Sequence, residues 1–148
     1  MTPVDIRMEV RSEPRLLQSI RSLVRCYVSD RGFSRDKTDE VVLAVDEACT
    51  NAIRHAYQGD KDKALHLHIH TNSSWMEFQL IDEGKTAPAD RVQPKSAEVI
   101  DAEAMTPGGL GMALIYQVFD EVAFSPGSPA GNIITMRLRL PTPTEETT

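Results

Sequence analysis

The spacing of apolar residues changes in kind along this chain, and that change limits the folds open to it. Every second residue from 4 to 10 is apolar, which predicts a strand with one buried face. Apolar residues three or four positions apart then predict a helix over 16–28, with Ser12 as its cap, Pro14 in its first turn and Gly32 at its end. Strand and helix must therefore share one core.

The same two periods recur further along the chain. A second helix is predicted to open at Ser34 or Asp36, to carry an apolar stripe and to stop at Gly59. Two alternating runs, 65–69 and 76–80, follow with a short polar segment between them. This arrangement predicts a β-hairpin.

The pattern of apolar residues is less regular in the last part of the chain. The pattern loosens between 84 and 107, where several prolines favour a lid or mobile loop, and helical spacing resumes over 110–119. Two strands are predicted near 121–124 and 133–140, on either side of a turn at 125–129. The order of elements predicts an α+β fold, a two-layer sandwich with helices on one face of a mostly antiparallel mixed sheet.

Length and composition favour a single domain. The 148 residues, of which 41% are hydrophobic, predict one domain over 1–140 and a flexible tail over 141–148. The net charge of −6 opposes direct binding to nucleic acid, which needs clustered Lys and Arg. No apolar run reaches membrane-spanning length, so we expect no membrane segment and a cytoplasmic protein. Without Cys-x-x-Cys spacing, Cys26 and Cys49 are interpreted as buried small hydrophobic residues rather than a disulfide.

Glu47 and Asn51 lie one helical turn apart, so both side chains project from one face of the second predicted helix. Mg²⁺ prefers oxygen ligands and keeps several waters, so an Asn carbonyl oxygen together with nucleotide phosphates would make a reasonable shell. Glu47 would then be free to act as a base. Taken alone, a chance Glu and Asn on a polar helix face is the simpler interpretation, but small neighbours such as Ala48 and Cys49 would let a ligand approach closely.

Two further segments suggest a nucleotide. Asp82 ends a predicted strand, where a carboxylate can accept a hydrogen bond from the amino group of adenine, and Gly84 permits a sharp turn, although Asp-x-Gly also marks simple turns. A glycine-rich segment precedes the last predicted helix and can present backbone N–H groups to phosphates, or can be a flexible turn that serves the lid. Its residues are Gly108, Gly109, Leu110, Gly111 and Met112. No Gly-x-x-x-x-Gly-Lys-[Ser/Thr] loop occurs, which excludes a lysine-anchored cradle.

Three histidines, His66, His68 and His70, alternate along one predicted strand face. Such spacing can hold a metal, but no Cys or carboxylate accompanies them at ligand spacing. We therefore interpret them as the polar face of the strand and assign them no role.

Together these blocks resemble the four motifs of the Bergerat-fold ATPases, the superfamily that includes DNA gyrase B and the sensor histidine kinases. The match assigns Glu47 and Asn51 to the Asn box, Asp82 and Gly84 to the first glycine box, Gly108, Gly109 and Gly111 to the second, and Thr135 to the final threonine. The runs Glu-Ala-Cys-Thr-Asn-Ala-Ile-Arg-His-Ala-Tyr and Gly-Gly-Leu-Gly-Met-Ala-Leu-Ile are most similar to the small anti-sigma factor serine/threonine kinases. One departure is Thr86, which stands where many relatives have a second glycine.

The resemblance implies a homodimeric protein kinase of a partner-switching system. Such a protein binds Mg-ATP, phosphorylates a Ser or Thr of a STAS-type antagonist and sequesters a sigma factor or a substitute effector. By position, Asn51 would bind Mg²⁺, Glu47 would deprotonate the attacking hydroxyl, and Asp82 would read adenine with help from Thr135 through water. The glycines would turn beneath the base and line the phosphates. Phosphoryl transfer depends mainly on positioning and charge neutralisation, so these few groups are a sufficient minimum.

Other members of the superfamily fit less well. A sensor histidine kinase needs an acceptor His before its ATP domain, but the first His here is His55, inside the Asn box, and a gyrase-like ATPase needs a transducer domain for which we expect no room. The serious alternative is a nucleotide-binding module that sequesters its partner without phosphotransfer. Glu47 distinguishes the two, because a module that only binds needs no base beside the metal ligand.

Overall fold

The computed structural model describes residues 4–83, 109–128 and 131–141. The predicted lid, Gly84 and Gly108 lie outside these ranges, as do residues 142–148 of the predicted tail. Five strands and three α-helices make up the described chain: β1 Ile6–Arg11, α1 Leu17–Ser29, α2 Arg35–Asn51, β2 Ala64–Thr71, β3 Trp75–Asp82, α3 Gly109–Val118, β4 Glu121–Ser128 and β5 Gly131–Arg139. A 3-10 turn, Pro14–Leu16, precedes α1, and a π-helical turn, Ala52–Ala56, continues α2.

The strands form one sheet in the order β1-β2-β3-β5-β4, and every pairing is antiparallel. One face of this sheet is buried against the helices, and α2 packs between α1 and α3. The buried face carries Leu65, Leu67 and Ile69 of β2, Met76, Phe78 and Leu80 of β3, and Ile134, Met136 and Leu138 of β5. The predicted two-layer α+β architecture is confirmed.

Phe78 occupies the middle of this core and is fully buried. Its ring makes edge contacts with Tyr27 of α1, at a centroid distance of 6.5 Å, and with Phe119 beyond α3, at 5.9 Å. Such edge-to-face pairs add to the free energy gained by burying the rings. Phe78 therefore joins the helix layer to the central strand that leads to Asp82.

The two helix starts differ in how well the sequence predicted them. Ser34 caps α2 as expected, since its hydroxyl accepts a hydrogen bond from the Lys37 N–H at 3.1 Å. The prediction for Ser12 is wrong, because its buried hydroxyl donates to the Asp60 carbonyl at 2.5 Å and accepts from the Lys63 N–H at 3.1 Å. Ser12 thus ties the end of β1 to the loop before β2, a contact that local sequence could not indicate.

The predicted turn at 125–129 begins later than expected. β4 continues to Ser128, with a register irregularity between Ser125 and Ser128. In this sheet β4 pairs only with β5, so it is an edge strand. An edge strand tolerates Pro126 because one side of its backbone forms no ladder bonds.

The two cysteines differ, and the prediction that both are buried is wrong for Cys26. Both thiols are free, Cys49 is fully buried and Cys26 is exposed. Cys26 lies just off the buried stripe of α1 that includes Val24, Tyr27 and Val28. Burial, with a smaller contribution from the nearby Asp46 carboxylate, raises the pKa of the Cys49 thiol to about 12.

None of the helices in the described ranges is both long and apolar enough to cross a bilayer.

Gly131 begins β5 at a point where two backbones come unusually close. Its φ is +106°, and a Cβ built on it would lie 1.9 Å from the Asp82 carbonyl oxygen and 2.9 Å from the carbonyl carbon. Only glycine combines this φ with such an approach. Gly131 therefore determines how closely β5 approaches the end of β3.

We predict that Gly131→Ala lowers the free energy of unfolding by about 3 kcal/mol, because both the backbone conformation and the packing oppose a side chain. Gly59→Ala is the matched control: its φ is also positive, at +82°, but nothing lies within 4 Å of the added Cβ. This control should cost only about 1 kcal/mol. Urea denaturation measures both values, and equal costs would contradict the close approach at Gly131.

We also predict that a maleimide labels one thiol per native chain. Cys26 is exposed, whereas Cys49 is buried and has a raised pKa that suppresses its reactive thiolate. Cys26→Ser should take up no label until denaturant is added, as mass spectrometry would show. Rapid labelling of Cys49 in the native protein would contradict its burial.

Candidate functional site

The C-terminal end of α2 presents Glu47 and Asn51 on one side of the helix. Both side chains are half-buried, while the opposite side of the helix buries Val41, Val45 and Ala48 in the core. The apolar stripe thus fixes the rotation of α2 about its axis, and with it the direction of the two polar side chains. The structure confirms that Glu47 and Asn51 lie one turn apart on a common face, as their spacing predicted.

The carboxamide of Asn51 is buried and lacks a partner among the described residues. Neither Oδ1 nor Nδ2 is accessible to solvent, and neither forms a hydrogen bond with the part of the chain that the structure describes. An unsatisfied buried polar group costs about 1–3 kcal/mol, so such groups are rare and call for an explanation. A ligand that supplies a cation for the oxygen, or an acceptor for the amide N–H, would remove this cost.

The Glu47 carboxylate also lacks a partner in the described part of the chain, where it takes part in no hydrogen bond or ion pair. Its neighbour Asp46 differs, because Asp46 Oδ1 receives a hydrogen bond from Arg21 Nη1 at 2.8 Å. Adjacent carboxylates on α2 are therefore placed differently. Asp46 joins α2 to α1, and Glu47 is free to act on a bound molecule.

A π-helical turn begins immediately after Asn51. The backbone N–H of Tyr57 bonds to the Ala52 carbonyl at 3.1 Å, a five-residue step that replaces the four-residue step of α2. Single π-turns inside α-helices occur frequently at functional sites. This one follows directly on the residue whose amide has no partner in the described part of the chain.

Tyr57 joins the end of this helical segment to the end of β3. Its buried hydroxyl donates to the Ala64 carbonyl at 2.5 Å and accepts from the Glu83 N–H at 2.6 Å. Burial raises the pKa of Tyr57, and the Asp82 and Glu83 carboxylates act in the same direction. The segment that follows Asn51 is thereby held next to Asp82.

Asp82 lies at the end of β3 on the helix-facing side of the sheet and is only 7% exposed. Directly opposite it in β5 is Asn132, whose Nδ2 donates a hydrogen bond to Asp82 Oδ1 at 2.9 Å. This bond orients the carboxylate, which as a group has several acceptor sites. Asp82 is suited to accept an N–H from a bound heterocycle.

Thr135 does not join the other predicted site residues, and its assignment is a correction. Successive side chains of a strand point to opposite faces, and Thr135 is an odd number of residues from Asn132. It therefore lies on the sheet face away from the helices, where its Oγ1 accepts from Gln79 Nε2 at 3.4 Å. Asn132, which sequence reasoning missed, occupies the position that faces Asp82.

A signal for Asn132 was present in the sequence. Ile134, Met136 and Leu138 share its face of β5, so Asn132 is the polar residue in an otherwise buried apolar series. A buried polar side chain needs a partner. That requirement, applied with the strand period, would have favoured Asn132 over Thr135.

The glycine-rich segment is helical where the structure describes it. Gly109, Leu110 and Gly111 form the first turn of α3, so this helix begins earlier than predicted, and Met112 packs partly buried against the core. Helix α3 lies against α2. Lys37 Nζ of α2 donates a hydrogen bond of 2.9 Å to the carbonyl of Val118, the last residue of α3. The N-terminus of α3 can offer unpaired N–H groups to an anion.

The three histidines of β2 lie on the open face of the sheet, as predicted. His66 is 3.7 Å from Glu9 and 3.6 Å from Glu83, and His70 is 3.8 Å from Asp5. Burial, together with the charge of Arg7, lowers the pKa of His68. Within the described ranges, no group of three His, Cys, Asp or Glu side chains could hold a metal ion.

A protein family and several curated relatives match most of this chain. The family of histidine kinase-like ATPase domains matches residues 10–138. The serine-protein kinase RsbW of Bacillus subtilis (strain 168) is 30% identical over 120 residues, which are 79% of this chain and 75% of the relative. RsbW of Listeria innocua is 29% identical, over 79% of this chain and 76% of its own length.

Solved structures of other proteins share the fold of this chain. The RsbU and RsbW domains of a Mycobacterium tuberculosis protein superpose with a TM-score of 0.63 at 16% identity, over 96% of this chain and 34% of that one. The SiaB–SiaC complex of Pseudomonas aeruginosa gives 0.61 at 18% identity, over 92% and 90%. At these identities the likeness concerns the fold alone. Because the family match covers most of the sequence, the chain belongs to the histidine kinase-like ATPase domain family.

Proposed function

We propose that this protein binds Mg-ATP through residues of α2, β3, β5 and α3, and that it transfers the γ-phosphate to a serine or threonine of a partner protein. The observation that carries the proposal is the buried carboxamide of Asn51, one turn from the carboxylate of Glu47, both of them without a partner among the described residues. The curated relatives, named serine-protein kinases, support the same reaction class.

Asn51 fits the role of a magnesium ligand. Its Oδ1 is a hard oxygen donor without a competing hydrogen bond, and Mg²⁺ bound with a nucleotide takes few protein ligands. When bound, Mg-ATP supplies the phosphoryl group and neutralises part of its charge. Asn51 then contributes one ligand and fixes the position of the cation relative to α2.

Glu47 fits the role of the base. Its carboxylate is half-buried and unpaired in the described residues, so it can accept the proton of an incoming hydroxyl. The π-turn and the Tyr57 contacts hold the end of α2 in place, so the carboxylate is oriented before the substrate arrives.

Asp82 fits the role of the adenine-reading group, with Asn132 holding its carboxylate in place. We propose that Gly109, Leu110, Gly111 and Met112 contribute the start of α3 to the phosphate site, and that Gly84 and Gly108 belong to the same site. Thr135 is not included, because it lies on the other face of the sheet.

The proposed partner is a STAS-type antagonist that carries the phosphorylated hydroxyl, and the protein would sequester a sigma factor or a substitute effector when the antagonist is phosphorylated. We further propose a homodimer that acts in the cytoplasm. These proposals are supported by the resemblance to anti-sigma factor kinases and by the RsbW relatives.

We predict that Glu47→Gln lowers kcat at least about 100-fold and leaves ATP affinity within about twofold, because a general base accelerates the chemical step without holding the nucleotide. Glu40→Gln, two turns earlier on α2, is the matched control and should leave kcat unchanged. The assay follows transfer from radiolabelled ATP to each STAS-domain protein of the source organism, purified singly. Measurable ATP binding without label on any of them would favour the module that binds without phosphotransfer.

We predict that Asn51→Ala abolishes the stabilisation by Mg-ATP and raises the free energy of unfolding of the nucleotide-free protein by about 1 kcal/mol, because it removes an unsatisfied buried amide. Asn72→Ala is the control, since Asn72 Oδ1 accepts from the Ser74 and Trp75 N–H groups at 2.8 Å. This control should destabilise the protein and leave Mg-ATP binding intact. Urea titrations with and without Mg-ATP measure both effects, and a destabilised nucleotide-free Asn51→Ala would contradict the proposed role.

A further inference from the structure

An open groove of about 530 Å³ lies beside the end of α2. It is lined by Pro14 before α1, by Thr50, Ile53 and Arg54 at the end of α2 and in the π-turn, and by Gln58 and Gly59 in the following loop. We refer to these six residues as the Arg54 groove. None of them was assigned to the nucleotide above.

Three residues that line the Arg54 groove present apolar groups to it, and we call them its floor: Pro14, Thr50 and Ile53. Pro14 has no backbone N–H, and Ile53 is a buried hydrocarbon side chain. The Thr50 hydroxyl donates to the Asp46 carbonyl at 2.9 Å, which leaves the methyl group as the free part of that side chain. Such a floor favours the hydrocarbon part of an occupant.

The rim of the groove carries two polar side chains that are free. In the described residues, neither the exposed Arg54 guanidinium nor the Gln58 amide forms a hydrogen bond or ion pair. Five other arginines are paired with carboxylates: Arg11 and Arg15 with Glu13, Arg21 with Asp46, Arg25 with Asp39, and Arg137 with Glu121. Within the described residues Arg7 and Arg35, like Arg54, form no ion pair, but neither of them lines this groove. In a chain with a net charge of −6, a free guanidinium over an apolar floor fits a carboxylate from another molecule.

The backbone around the rim is also unusual. Gln58 has a φ of +49°, which is uncommon for a residue with a side chain, and Gly59 follows with +82°. Strained conformations of this kind are associated with functional sites. Here the positive φ belongs to a residue whose free amide lines the groove.

The groove adjoins the proposed base. Thr50 is three residues from Glu47, so their side chains are neighbours on the helix surface. Arg54 is seven residues from Glu47, about 10 Å along a helix that rises about 1.5 Å per residue. An extended peptide advances about 3.3 Å per residue, so it would cover this distance in about three residues.

We infer that the Arg54 groove receives the segment of the substrate protein that carries the phosphorylated hydroxyl, and that Arg54 pairs with an Asp or Glu about three residues from that hydroxyl. This inference rests on the proposed function and adds to it the recognition element for the substrate. The hydroxyl lies at Glu47, the intervening residues cover the apolar floor, and the carboxylate meets the guanidinium.

The first experiment does not require phosphotransfer. Two short capped peptides with a central serine are titrated into the ¹⁵N-labelled full-length protein, one with Asp three residues before and after the serine and the other with Asn at both places. The Asp peptide should shift the amide resonances of Thr50, Ile53, Gln58 and Gly59, and Arg54→Gln should abolish these shifts. Equal shifts from both peptides, or an absence of shifts in the groove, would overturn the inference.

The second experiment uses the STAS-domain protein that accepts label. Arg54→Gln should raise the KM for the STAS-domain protein about fivefold, as expected for the loss of one partly exposed ion pair. The kcat and the KM for ATP should not change. Arg54→Lys should recover much of the loss, and Arg35→Gln, which removes another exposed arginine, should have no effect. A raised KM for ATP would assign Arg54 to the nucleotide and overturn the inference.

Failure of the groove inference and failure of the proposed kinase activity give different results in these experiments. Shifts by the Asp peptide without transfer to any STAS-domain protein would support the groove and count against the kinase. Normal transfer by Arg54→Gln, with an unchanged KM for the protein substrate, would support the kinase and reject the groove.

Discussion

The hydroxyl group of Tyr57 is the contact on which the candidate site depends. It donates to Ala64 and accepts from Glu83, so its hydrogen-bonding capacity is used to join the end of α2 to the end of β3. Asn51 and Asp82 are distant in sequence, and this contact holds together the two elements that carry them. Their relative position is therefore set by the folded scaffold before any ligand binds, which is the condition for a preorganised site.

The end of α2 departs from the rules of a stable helix at one place, Asn51. Along most of its length the helix follows the rules of a stable element, with a serine cap, a continuous apolar stripe and ion pairs to α1. At Asn51 a polar amide is buried without a partner in the described ranges, and the α-helix gives way to a π-turn. Local violations of this kind in an otherwise consistent fold are expected at functional sites.

Sequence periodicity predicted the helices and strands whose burial follows a simple repeat. It was less successful for residues whose role depends on a single long-range contact. The alternation in β2 and β3 and the cap at Ser34 follow from local chemistry. Ser12 was misassigned because its partners are about fifty residues away, and Cys26 because one position around a helix separates buried from exposed. Glu47, Asn51 and Asp82 were selected from their types and spacing, and their part in binding and catalysis stays a prediction. Thr135 was assigned by motif alone, and the alternation of strand faces excludes it.

Position around α2, rather than residue type, decides what each charged group can do. Asp46 and Glu47 are adjacent acids, yet a step of about 100° around the helix gives Asp46 a partner on α1 and leaves Glu47 without one in the described residues. Arg21 and Arg54 differ in the same way, the first paired and the second free at the groove. Since paired groups have little capacity left for a second molecule, Glu47 and Arg54, which are free within the described residues, carry the proposed contact with the substrate. A carboxylate at one end of the groove and a guanidinium at the other define a direction, so the proposed peptide would lie with its hydroxyl at Glu47 and its own carboxylate at Arg54.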